Sequence, residues 1–191
     1  INMEIAMTYI AEEKFKDAVP YLNNIISSTS AGGLKPRAYL KLGLSYYNSD
    51  DNKNALASYQ QLIQQYPQSS ESAEALVIIR DIYVEEGRPN EYVDLMKKNG
   101  VNISVSEADS LTYTAALLKY NANDCAAAIN GFGNYLSRYA NGSYAIEANY
   151  LRSECYQRNK DWQHALEGYA YVNGKGLNKY FEKATLEAAR I

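Results

Sequence analysis

Few side chains in this sequence are equipped for covalent or metal chemistry. Its 191 residues include one histidine, His164, and two cysteines, Cys125 and Cys155. A catalytic triad or a histidine-containing metal site would have to use His164. That residue stands beside Trp162 and Ala165 in a helical pattern and reads as an exposed helix residue. The cysteines lie 30 residues apart with no further ligands at zinc-site spacing, so they are not a metal motif. Glu12-Glu13, Asp50-Asp51 and Glu85-Glu86 are adjacent carboxylates at polar turns. Neighbours in sequence do not face each other on a helix, so these read as solvated caps and loop charges. Gly131-Phe132-Gly133 falls inside a helical pattern rather than between strand and helix, which excludes a phosphate loop. The expectation is a noncatalytic chain with no cofactor and no metal.

Composition narrows the class further. Apolar residues make up 47% and charged residues 21%, the balance of a folded chain. Nineteen basic against 22 acidic residues give a net charge of −3, so nucleic acid is not an expected partner. No apolar run approaches the roughly 20 residues of a membrane-spanning helix. The opening Ile1-Asn2-Met3-Glu4-Ile5-Ala6 lacks the pattern of a signal peptide and reads as mid-helix. The unusual feature is 19 tyrosines against 3 phenylalanines and 1 tryptophan.

The elements that position these residues follow from an internal repeat. Ala18, Ala55, Tyr92, Ala128 and Ala165 recur in similar surroundings at intervals of 37, 37, 36 and 37. An aromatic precedes each anchor by eight or nine residues: Tyr9, Tyr46, Tyr83, Tyr120 and Tyr156. Polar turns separate the two, so each unit is helix, short turn, helix. Asp161 is placed to cap the helix of Trp162, and Ser106 with Asp109 reads as a capping box. The units span roughly 1–33, 34–69, 70–105, 106–142 and 143–176, with a partial one at 177–191.

Tyr39, Leu42, Gly43, Tyr46, Ala55, Tyr59 and Pro67 resemble the tetratricopeptide repeat signature. The resemblance implies an all-α, right-handed superhelix, an α-α solenoid of about five helical pairs plus a C-terminal single helix. It implies one array over 1–191 that is a fragment of a longer chain. The third unit departs from the pattern, with Arg80 in a small-residue place and Tyr92 in the alanine place. Irregular packing over 70–99 is expected, followed by an extended linker at 100–104.

Transferring the family's groove positions marks a concave face of first helices, with Met7, Leu40, Lys41, Leu44, Tyr47, Asp81, Tyr113, Leu117, Tyr120, Tyr150, Glu154 and Arg158. Tyrosine suits such a face because it offers area and a hydrogen bond at low entropic cost. The alternative is that these residues pack only on adjacent repeats. Leu40, Leu44, Tyr113 and Leu117 stand where a carboxylate clamp would need Lys and Asn, so a C-terminal chaperone peptide is not expected. Cys125 and Cys155 fall in packing places on stacked neighbouring helices. Two adjacent buried thiols are the expectation, and a disulfide is the alternative that the packing permits.

The function expected is a protein–protein interaction scaffold that holds a protein or peptide. Other parts of the same longer chain are further expected partners. The 36–37 residue period and the segments at 66–75 and 139–148 resemble repeat proteins of the Gram-negative envelope. That resemblance implies a periplasmic or outer-membrane-associated location, with a cytosolic adaptor as the alternative. A carbohydrate-binding surface lipoprotein would need long aromatic insertions, which the short loops lack.

Overall fold

The computed structural model describes residues 1–191 and is all-helical, with eleven α-helices and no strand. The chain divides into two compact units, Ile1–Ile82 and Tyr83–Ile191. The first holds α1 (Asn2–Ala11), α2 (Phe15–Ser27), a 3-10 turn (Gly32–Leu34), α3 (Lys35–Tyr47), α4 (Asn52–Gln65) and most of α5 (Ser70–Glu85). The second holds α6 (Pro89–Lys98), α7 (Val105–Asn121), α8 (Cys125–Arg138), α9 (Ala145–Arg158), α10 (Trp162–Gly174) and α11 (Phe181–Arg190). In the first unit α1 packs on α2, α2 on α3, and α3 on α4. In the second, each helix from α6 to α11 packs on the next. Stacking dominated by sequence neighbours is the construction of an α-α solenoid.

The repeat positions form the core. Ala18, Ala55, Ala128 and Ala165 are fully buried, and Tyr92 is buried in the third unit. Four residues after each anchor come Leu22, Tyr59, Met96, Phe132 and Tyr169, all among the most deeply buried large side chains. Close helix approach explains the small residues. A Cβ on Gly43 would lie 2.3 Å from the Tyr59 ring, and one on Gly131 would lie 2.9 Å from Ala116 Cβ. One on Gly168 would lie 1.9 Å from Ser153 Oγ.

The turn inside each pair repeats as well. Glu13, Asp50, Asn123 and Lys160 have φ of 58°, 60°, 58° and 62°, and Gly87 has 75° at the same place in the third unit. One left-handed residue reverses the chain in each unit, a conformation costly for most L-residues. Asp51, Asp124 and Asp161 follow and cap the next helix, accepting from the amides of Asn54, Ala127 and His164 at 3.1, 3.0 and 3.3 Å.

Two sequence expectations need correction. The cap of α7 is Ser104, whose hydroxyl accepts from the Glu107 amide at 3.1 Å, so Ser106 and Asp109 lie inside the helix. Asp109 is buried and its Oδ2 accepts from the Ser143 amide at 2.9 Å. Tyr156 is also not the counterpart of Tyr120. The contacts Ala116–Gly131 and Ser153–Gly168 both recur at 37 residues, which pairs Tyr120 with Gln157 and Lys119 with Tyr156. The linker expected after the third unit is present as non-helical chain at 101–104.

Candidate functional site

The groove residues divide by unit. In the first unit Met7 lies on α1, and Leu40, Lys41, Leu44 and Tyr47 lie on α3. Leu40 is buried, whereas Met7, Lys41, Leu44 and Tyr47 are half-buried. Asp81 on α5 is exposed and pairs with Arg80 at 3.0 Å.

In the second unit α7 and α9 bring the remaining positions together. Glu154 is the hub. Its Oε2 accepts from the Tyr120 hydroxyl at 2.6 Å, and its Oε1 accepts from the Tyr150 hydroxyl at 3.1 Å. Arg158 donates from Nη2 to the Tyr120 oxygen at 3.0 Å, and its guanidinium carbon lies 5.0 Å from that ring's centre. Two turns earlier on α9, Glu147 accepts from the Tyr180 hydroxyl and lies 3.8 Å from Lys179 Nζ. Tyr113 stacks on Tyr144 at 4.3 Å, and Tyr150 on Tyr180 at 4.7 Å. Leu117 is half-buried and packs against the same core. Sequence reasoning missed Glu147, Tyr144 and Tyr180; the Tyr180–Glu147 hydrogen bond spans 33 residues, a little less than one repeat.

For three groove positions the packing alternative applies, and Leu40 at 3% exposed is one of them. Tyr113 and Tyr150 are 4% and 6% exposed, so they pack on neighbouring repeats and hold the face in shape. The accessible part is Tyr120, Glu154 and Arg158. Burial, followed by the hydrogen bond to Glu154, pushes the Tyr120 hydroxyl up to about 12, while Arg158 works in the opposite direction. Burial is also the first cause holding Tyr113, Tyr150 and Tyr169 above the ordinary tyrosine range. The Tyr120 and Tyr150 hydroxyls donate to the Glu154 carboxylate, and the Tyr169 hydroxyl donates to Gln157 Oε1 at 2.6 Å.

The cysteines are joined. Cys125 begins α8 and Cys155 lies near the end of α9, with Cα atoms 5.1 Å apart, and they form a disulfide rather than two thiols. His164 is exposed, its Nδ1 lies 2.7 Å from Asp161 Oδ2, and its ring stacks on Tyr156 at 5.0 Å. Asp161 is the cap of α10 and His164 is the third residue of that helix. No three His, Cys, Asp or Glu side chains are grouped to hold a metal ion. No helix is long and apolar enough to cross a membrane.

Comparison with known proteins agrees with the local pattern. Residues 37–69 match the family model described as tetratricopeptide repeat. No curated protein matches the chain. Among solved structures the chain is similar to MamA of AMB-1, at 14% identity over 95% of this chain and 94% of that one, with a TM-score of 0.41. A tetratricopeptide repeat protein from Parabacteroides merdae ATCC 43184 matches at 14% identity over 98% and 70%, with a TM-score of 0.45. The P58(IPK) TPR domain matches at 14% identity over 97% and 53%, with a TM-score of 0.42.

Proposed function

We propose that this chain, whose residues 37–69 match the tetratricopeptide repeat model, is a noncatalytic scaffold holding a protein or peptide partner. The contact surface in this reading is the face of first helices in the second unit, around Tyr120, Glu154 and Arg158. One observation carries it. The accessible tyrosine and arginine are held in place by a carboxylate and by buried aromatic stacking. Side chains fixed before binding lose little entropy when a partner arrives, and tyrosine and arginine are the residue types that dominate interface energetics.

The setting proposed is an oxidising compartment, the Gram-negative envelope. The Cys125–Cys155 disulfide supports it, because such bonds persist in the periplasm and are rare in the cytosol. The linker style at 66–75 and 139–148 supports it as well. Thiol trapping in the native organism tests the setting. Protection of both cysteines from alkylation until reductant is added is the expected result. Prompt labelling in intact cells would favour a cytosolic adaptor.

The binding claim is tested by affinity capture with wild-type chain and with Arg158→Glu, which reverses charge at an exposed position. The partner recovered by the wild type should be lost with the variant while helicity is unchanged. Equal recovery would move the contact off this face.

A further inference from the structure

The opposite side of α7 carries a cavity that the tyrosine face does not use. Its volume is about 260 Å³, and it lies between the start of α6 and the outer side of α8. Ala115, Ala116, Ala127 and Gly131 form its floor, and Asn130, Asn134 and Lys119 reach it from the sides. The 37-residue register explains why it is open. In the next unit Ala115, Lys119, Ala127 and Asn134 become Arg152, Tyr156, His164 and Tyr171. There the equivalent cleft over α9 is filled by the chain itself. Tyr156 stacks on His164 at 5.0 Å, and the Arg152 guanidinium carbon lies 6.0 Å from the Tyr156 ring centre. The Tyr171 hydroxyl donates to the Ala140 carbonyl at 3.1 Å. One repeat thus displays the occupant that the other lacks.

We propose that this cavity is a second binding site, and that it takes a tyrosine side chain presented by a partner polypeptide. The ring replaces Tyr156 over the alanine floor. Lys119, whose Nζ donates to the Glu85 carbonyl at 2.7 Å, stands at the rim as the cation flanking the ring, the role Arg152 has in the next unit. Asn130 and Asn134 are exposed at the sides of the cavity, where their side-chain amides are placed to meet the partner's main chain. Opening the cleft has a packing cause, since small residues stand where the next unit places large ones.

The test is a methyl-detected NMR titration of the alanines with two probes, 4-methylphenol and the blocked tripeptide Ac-Gly-Tyr-Gly-NH2. Saturable shifts are expected at the Ala115 and Ala127 methyls, with the tripeptide binding more tightly than the phenol. Two plugged variants, Asn134→Tyr and Ala115→Arg, restore the next unit's residues and should abolish the shifts with helicity retained. Their use in parallel guards against one of them failing to fold. Absence of shifts at millimolar probe, or shifts that persist in both plugged variants, would overturn the site. Tighter binding of the free phenol than of the tripeptide would overturn the polypeptide partner. Equal shifts with cyclohexylmethanol would overturn the assignment to an aromatic ring.

Discussion

Gly131 and Gly133 lie two residues apart on α8 and answer opposite demands. A methyl at Gly131 meets Ala116 at 2.9 and 3.0 Å, including backbone, so Gly131→Ala should cost about 1–3 kcal/mol through overpacking. A methyl at Gly133 finds only the tip of Arg152 at 3.9 Å. Gly133→Ala should therefore add about 0.5–1 kcal/mol by lowering the backbone entropy lost in a helix. Denaturant unfolding of both variants checks the signs, and a matching sign in the two would contradict the close contact. The tyrosines make a pH prediction. Tyr120 ionises near 12, and Tyr113, Tyr150 and Tyr169 ionise above the unfolded value near 10. The folded state then holds protons that the unfolded chain releases. Stability is fully present below about pH 10 and falls as pH rises toward and beyond 12. Absorbance and circular dichroism followed together should show these hydroxyls ionising with unfolding. Ionisation near pH 10 in a still-folded chain would contradict their burial.

At the scale of elements, the disulfide joins α8 to α9 across a 30-residue separation. Closing a loop of that length stabilises by about 2–4 kcal/mol. The paired Cys125→Ser, Cys155→Ser variant should lose that amount, and reductant should have no further effect on it. The capping carboxylates contribute less, and Asp124→Ala should cost about 1 kcal/mol. Helix existence was legible in the sequence because the repeat is regular. Ala18, Ala55, Ala128 and Ala165 mark buried helix contacts, and the turn charges mark the reversals. Three things were not legible. A one-residue slip moved Tyr156 out of line with Tyr120, because aromatic identity carried more weight than the small-residue register. The left-handed residues Glu13, Asp50, Asn123 and Lys160 share no residue type, so composition did not betray them. The state of the cysteines turned on the packing of α8 against α9, which periodicity does not specify.

On the scale of the whole molecule, the candidate site was half legible. The family's groove pattern named Tyr120, Glu154 and Arg158, which the structure brings together. It also named Tyr113 and Tyr150, which are buried supports, so Tyr113→Ala should cost about 3 kcal/mol or more rather than only weaken binding. Burial was not readable because the covering residues, Tyr144 and Tyr180, come from helix starts one repeat later. The central claim is that a partner rests on the first-helix face. Site-specific photocrosslinking measures that most directly. A photoreactive residue at Arg158 is compared with one at Ser137, exposed on the outer side of α8, in the native organism. A discrete protein adduct from Arg158 and none of the same mass from Ser137 is the predicted result. The same adduct from Ser137 alone would contradict the account and place the partner on the second helices.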